Sequence, residues 1–238
     1  MAADTSLETN SVTRAKKEFE EARSRFQADT NNAEAAWQFG RACFDLAESA
    51  RNDVEKAALA EKGIAACRQA ISRKPAPAAG HYYLGMNLGQ LADTKRNLAA
   101  LKMVKEMEHE FQSAYDLDKQ FDYAGPDRNL GLLYMQAPVI VSIGSRNKAR
   151  QHLRRAAELA PDYPENRLNL IEACLKWGDL SGARREYKAL EKLWPQARQK
   201  FAGELWAAGW HDWEKRFGAA KRKIEPPSKQ PGSARHED

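Results

Sequence analysis

The stretch AELAPDYPENRLNLIEACLKWGDLSGARREYKALEKLWP, Ala157 to Pro195, decides the fold. Pro161 and Pro195 each follow a helical run, and they stand 34 positions apart. Proline lacks the amide donor and its ring clashes with the preceding turn, so each is read as closing a helix. Between them, two apolar patterns recur every three or four residues, the mark of amphipathic helices. With Pro195 at position 32 of a 34-residue unit, Leu170, Ile171 and Cys174 fall at 7, 8 and 11 of the first helix. Gly178 then falls at 15 in the turn, and Ala183, Tyr187 and Leu190 at 20, 24 and 27 of the second helix. Small residues let paired helices approach, and large ones fill the gaps between them.

The same register runs upstream. A helix is expected over 13–28, with Ala15, Phe19, Ala22 and Phe26 on one face, followed by an Asn31/Glu34 capping box. Phe39, Gly40 and Cys43 take positions 7, 8 and 11 of the next pair, and Gly63, Cys67 and Ala70 positions 20, 24 and 27. Leu84, Gly85 and Leu88, then Phe111 and Ala114, repeat this. Leu130, Gly131 and Tyr134 do so again after Gly125-Pro126, with Ala149, Leu153 and Ala156 on the partner helix. The apolar run Val139 to Ile143, before Gly144-Ser145, is too short for a sheet and is read as an ordered insert against the helices. After Pro195, an amphipathic segment to about Ile224 carries Trp206, Trp210, Trp213 and Phe217, with Gly209 as a candidate break. Period and positions together resemble the tetratricopeptide repeat. The expected fold is all-α: a tetratricopeptide-like solenoid with a C-terminal amphipathic capping helix. Residues 1–12 are expected to be a flexible tail, 13–224 one helical domain, and 225–238 a disordered tail.

The chain has 238 residues, 42% hydrophobic and 30% charged, with a net charge of +5. Both signs are interspersed, so no specific nucleic-acid partner is expected. No apolar stretch reaches the roughly 20 residues of a membrane span. The start, MAADTSLETN, lacks a basic region and an apolar core. The chain therefore reads as cytoplasmic as written, or periplasmic if Met1 replaces a removed signal peptide. Cys43, Cys67 and Cys174 lie on apolar helical faces without paired spacing, as buried inert thiols do.

The run DYAGPDRNLGLLY, then AP, then IGSRNKARQHLRRAAELAPDYPENRLNLIEA, within 121–172, resembles the T-component proteins associated with TRAP transporters and related bacterial tetratricopeptide proteins. Gly125, Arg128, Leu130, Gly131, Tyr134, Pro138 and Lys148-Ala149 carry the likeness. It implies a helical repeat protein, often exported, that helps deliver a small organic ligand to a transporter.

In such solenoids, positions 2, 5, 9 and 12 of each first helix face the concave surface. They select Glu34, Trp37, Arg41 and Phe44; Tyr82 and Met86; Gly125, Arg128, Leu132 and Met135; Glu165, Leu168, Glu172 and Leu175. The binding candidates among them are Trp37, Arg41, Tyr82, Met86, Arg128, Leu132, Glu165 and Glu172. Such a lining suits a peptide or an amphipathic small molecule, unless the 137–145 insert or the C-terminal segment covers it. Arg128 offers a planar fork for a carboxylate, or else pairs with Glu165 or Glu172. Enzyme signals are sparse. His109-Glu110 lacks a second histidine for a zinc helix, and no phosphate-binding loop or nucleophile elbow is present. Asp122 and Asp127 flank a turn, a candidate carboxylate pair that capping and loop hydrogen bonding explain better. The reading is a non-enzymatic binding or scaffold protein without cofactor or metal, free to form homo-oligomers. A transporter accessory and a helical enzyme using carboxylates near Asp122 are the alternatives.

Overall fold

The computed structural model describes residues 2–73, 75–95, 98–138 and 142–225. Among them, every regular element is a helix: α1 (Ala2–Ala28), α2 (Ala33–Ala47), α3 (Asp53–Ile71), α4 (Ala78–Asp93), α5 (Leu98–Leu117), α6 (Phe121–Gln136), α7 (Arg146–Leu159), α8 (Pro164–Lys176), α9 (Leu180–Lys200), a 3-10 turn (Glu204–Trp206) and α10 (Ala207–Ile224). Polar caps start several of them by accepting free amides of the first turn. Asn32 accepts from Glu34 and Ala35, Asn52 from Glu55, Ser145 from Lys148, and Asp179 from Gly182. The first cap is thus Asn32, not the expected Asn31.

The helices form four antiparallel pairs, α2/α3, α4/α5, α6/α7 and α8/α9, with α1 before them and α10 after. The first helices touch one another in sequence, α2 to α4, α4 to α6, α6 to α8, and α8 to α10. The second helices of successive pairs keep their backbones farther apart and reach one another through long side chains, Arg68 to Glu106 and Lys148 to Glu108. A stack whose one layer is in contact and whose other layer is splayed must curve toward the contacting layer, so the first helices line the concave side. The curvature brings α1 against α10.

The repeat register explains why the pairs close. A Cβ placed on Gly85 would stand 2.6 Å from the Phe111 ring, and one on Gly131 would stand 2.6 Å from Leu153 Cγ. On Gly40 it would overlap the Cys67 sulfur. In each of these three units, position 24 of the second helix fills the space that the position-8 glycine leaves open. The fourth unit, with Ile171 at position 8 and Tyr187 at position 24, closes on the C-terminal segment: Tyr187 stacks on Phe217 at 4.4 Å, and Phe217 on Trp194 at 4.4 Å. Trp210, Trp213, Ala220 and Ile224 of α10 are buried in the same cluster as Ile171 and Leu190. This covers the apolar face that the last repeat of a solenoid presents.

Three boundaries differ from expectation. Helix α1 begins at Ala2 and takes in most of the segment read as a tail. Pro195 lies inside α9, which continues to Lys200. The break in the C-terminal segment falls at Gly203 (φ 95°), and Gly209 is helical. A glycine accepts positive φ at no steric cost, so Gly203 takes the turn. Val139 to Val141 of the insert, and 226–238 of the tail, lie outside the described residues. Ile143 is half-buried against the central cluster.

Gly131→Ala should lower stability by about 1–3 kcal/mol, because the new methyl meets Leu153 backbone as well as side chain. Urea denaturation measures this. An unchanged midpoint would show that α6 and α7 can separate without penalty.

Candidate functional site: the concave face

At its centre, the chain does something that L-residues avoid. Asp122 (φ 49°), Tyr123 (φ 55°) and Ala124 (φ 62°) form a left-handed turn just before the right-handed part of α6. Each such residue costs roughly 1–2 kcal/mol. Pro126 follows, with its φ already set for a right-handed helix. The strained turn persists because its surroundings hold it from both sides. Arg128 Nη1 donates to the carbonyls of Asp122 (3.1 Å) and Tyr123 (3.3 Å) and to Asn166 Oδ1 (3.2 Å). Arg128 Nη2 donates to Asp122 Oδ2 (2.6 Å) and to the Tyr82 hydroxyl (3.2 Å). That hydroxyl donates to Asp122 Oδ2 at 2.7 Å, and Asn166 Nδ2 donates to the Tyr123 carbonyl at 2.9 Å. The Arg128 guanidinium also lies 5.2 Å from the centre of the Tyr163 ring. Burial works against its charge, but Tyr82 and Asp122 outweigh that and raise its pKa. Burial, and then the Asp122 charge, raise that of Tyr82.

Arg128 and Tyr82 are therefore buried, at 5% and 2% exposed, and occupied by the protein's own groups. Position 5 as a whole turns inward: Leu168 is buried too, and Trp37 is half-buried. The accessible strip comes from position 9. There Arg41 is exposed, while Met86, Leu132 and Glu172 are half-exposed. Glu165, at position 2, is half-exposed as well. Arg128 pairs with Asp122, not with Glu165 or Glu172. Nor do Asp122 and Asp127 form a carboxylate pair. Asp127 is fully buried and faces His152 Nδ1 at 2.7 Å, and Arg155 at 3.6 Å.

The strip divides into two halves. Near the C-terminus, Arg216 of α10 reaches into it. Its Nε and Nη2 donate to the two oxygens of Glu172 at 2.8 and 2.9 Å, and Nη2 also donates to Asn169 Oδ1 at 2.5 Å. Its Nη1 lies 3.9 Å from Glu165. Near the N-terminus, Trp37 stacks on Tyr83 with 6.1 Å between centroids and 3° between planes, and Arg41 lies over the same ring at 5.9 Å. A cleft of about 280 Å³ opens there, walled by Glu18, Ala22 and Arg25 of α1 and by Trp37, Arg41 and Asp45 of α2.

Two carboxylates in this half were not among the sequence candidates. Burial pushes Asp45 up to about 6, with Arg41 opposing and Glu18 and Asp122 adding to the rise. Burial, then the charges of Asp45 and Glu165, push Glu48 up to about 7, with Lys56 opposing. Continuing the step of four from Trp37 and Arg41 reaches Asp45, which extending the repeat numbering by one turn would have found.

Elsewhere, burial pushes the Cys43 thiol up to about 12 and raises Cys67 and Cys174. Among the described residues, no group of three or more His, Cys, Asp or Glu is placed to hold a metal ion, and no helix is long and apolar enough to cross a membrane.

A curved stack of helix pairs with an inner lining strip defines a tetratricopeptide solenoid, and the family model described as Tetratricopeptide repeat matches residues 144–200. The model described as Regulator of microtubule dynamics protein 1-3 matches residues 2–124, just over half of the chain, and the chain belongs to that family. Its fold is similar to that of a thermophilic tetratricopeptide protein from Thermus thermophilus, with TM-score 0.62 and 17% identity over 90% of this chain and 98% of that one. Two structures of MamA resemble it at TM-scores 0.55 and 0.54, each 17% identical, over 78% and 85% of this chain and 94% and 98% of theirs. No curated protein matches the chain. These comparisons support the tetratricopeptide architecture; the likeness to transporter T-components is not among what they show.

Replacing Arg128 by Met should destabilise by about 3–5 kcal/mol, since Asp122 loses its partner and the left-handed turn its anchor. The melting temperature should fall on the order of 10 °C. A fall of less than about 2 °C would mean that the turn is held by something else.

Proton linkage gives a second expectation. Asp45 and Glu48 bind protons more tightly folded than unfolded between the ordinary carboxylate range and about 6 to 7. Raised acidic pKa values contribute stability at low pH that is lost as pH rises through them. Urea midpoints should therefore decline from about pH 5 to about pH 8, and Asp45→Asn with Glu48→Gln should flatten that decline. A midpoint that climbs over this window would contradict the assignment.

Proposed function

We propose that the protein is a non-enzymatic scaffold that holds a segment of a partner protein along its concave face. In the setting that its family's name supplies, this serves the regulation of microtubule dynamics. The observation that carries the reading is the Trp37, Tyr83 and Arg41 stack beside an open cleft. The half-buried Trp37 ring, backed by the buried Tyr83, and the exposed Arg41 guanidinium form a preordered recognition surface, at low entropic cost on binding. Met86, Leu132 and Glu165 continue that surface, while Tyr82 and Arg128 shape it from beneath. The small-ligand reading that follows from the transporter resemblance would use Arg41 to hold an organic acid. The carboxylates around Arg41 count against it, because they repel the anion that Arg41 would attract.

Peptides selected from a phage-displayed random library against the full chain provide the test. Arg41→Ala alters an exposed side chain and should change stability by less than about 0.5 kcal/mol. It should nonetheless weaken the selected peptides markedly, as should Trp37→Ala. Selection of nothing, or of peptides that bind both variants as they bind the parent, would overturn the proposal.

A further inference from the structure

Outside the Trp37 and Arg41 surface, we propose a second docking site: the cleft where α8, α9 and α10 meet takes an acidic segment of a partner protein, one carrying Asp or Glu beside a large apolar residue.

Three helix ends build the cleft. Helix α8 runs out through Glu172, Leu175 and Lys176, α9 begins at Leu180, and Lys223 stands in the last turn of α10. These five residues line a space of about 470 Å³. Leu175 packs against the C-terminal core, while Leu180 is 46% exposed. One exposed leucine is ordinary on a protein surface. This one shares its cleft with a second leucine and two exposed lysines.

The charge around the cleft is unbalanced. Among the described residues, no carboxylate pairs with Lys176 or Lys223, nor with Lys221 and Arg222 of the same last turn. Arg184 donates to the Ile224 carbonyl at 3.2 Å, which brings another guanidinium to the end of α10 with no acid of its own. Near these five cations lie three acids. Asp179 is held by Arg150 at 2.7 Å and accepts from the Gly182 amide, so that pair is neutral. Glu172 is forked by Arg216 at 2.8 and 2.9 Å, and Arg216 is shared with Asp212 and Glu165. Glu225 follows the last turn of α10. The C-termini of α8 and α10 add about half a negative charge each. Even with Glu172 and Glu225 counted in full beside that dipole, the cations prevail.

The occupant follows from this imbalance. The lysines meet a carboxylate, and the leucines meet an apolar side chain next to it. A membrane surface calls for a broad apolar helix face, and here a single leucine is exposed. Single-stranded nucleic acid calls for rings on which bases stack, and none lines the cleft.

The test uses the full chain and a fluorescein-labelled peptide, Glu-Asp-Leu-Phe-Asp-Glu. Two counterparts accompany it, one with lysine in place of every acid and one with serine in place of Leu and Phe. Anisotropy at low salt should show the first binding at least about tenfold tighter than either, and weakening as salt rises. Lys176→Glu with Lys223→Glu should lose at least about tenfold in affinity, and Leu180→Ser about threefold. These side chains are exposed, so the melting temperature should stay within about 2 °C of the parent. Lys62→Glu, exposed on α3, changes the net charge elsewhere and should leave binding intact. Arg41→Ala should do the same, so this site and the concave surface stand or fall separately. Equal binding of the three peptides, or a double reversal no worse than Lys62→Glu, would overturn the proposal. Loss of binding on Arg41→Ala would overturn it by placing the peptide on the concave face. Retention on phosphatidylserine vesicles that the double reversal abolishes, with no peptide bound, would overturn it in favour of a membrane surface.

Discussion

The buried pairing of Arg128 with Asp122 is the constraint on which the rest of the structure depends. A guanidinium withdrawn from water is tolerated only when nearly every donor finds an acceptor. Here the acceptors are two backbone carbonyls, one carboxylate, one hydroxyl and one side-chain amide. Those carbonyls point inward because residues 122 to 124 are left-handed, and the left-handed turn holds because Arg128 binds them. The same turn sends the Asp122 side chain toward the second repeat and the Tyr123 ring onto Tyr163 at 4.6 Å, in the fourth. A single turn of backbone thus sets how three repeats face one another.

Around that centre, the concave face is asymmetric. Its C-terminal half is occupied by the protein's own α10, whose tryptophans seal the last repeat and whose arginine neutralises the acids beneath. Its N-terminal half offers rings and carboxylates to solvent. One helix therefore does two jobs: it closes the apolar end of the stack and shortens the surface left for a partner. The contact of α1 with α10 bounds that surface on the far side.

The architecture was legible because it depends on spacing. Glycine at 40, 85 and 131, matched by Cys67, Phe111 and Leu153, marks helix pairs that must approach closely, and the four pairs follow from that register. The ends of elements were less legible. Pro195 reads as a stop, yet α9 runs through it to Lys200, and Gly203 takes the turn. The candidate site was half visible. The numbering found Trp37 and Arg41 but assigned Tyr82 and Arg128 to the open surface. Asp122, whose carboxylate binds both of them, lies in a turn of Asp, Tyr and Ala whose left-handed form no local preference announces. It missed Asp45 and Glu48, whose raised proton affinity comes from burial and neighbouring charges, and Arg216, which reaches the strip from more than forty residues away.

The left-handed turn also bears on how the molecule comes apart. Repeat solenoids have nearest-neighbour energetics, so they can fray from an end one unit at a time. In this chain, Tyr82, Arg128 and Asn166, drawn from three successive units, share one hydrogen-bonded knot. Releasing the second unit frees a hydroxyl from Arg128, and releasing the fourth frees an amide. Either loss leaves a buried charge poorly matched and a strained turn unsupported. The last three units therefore melt together, and the zipper that the sequence period suggests behaves there as a single cooperative block.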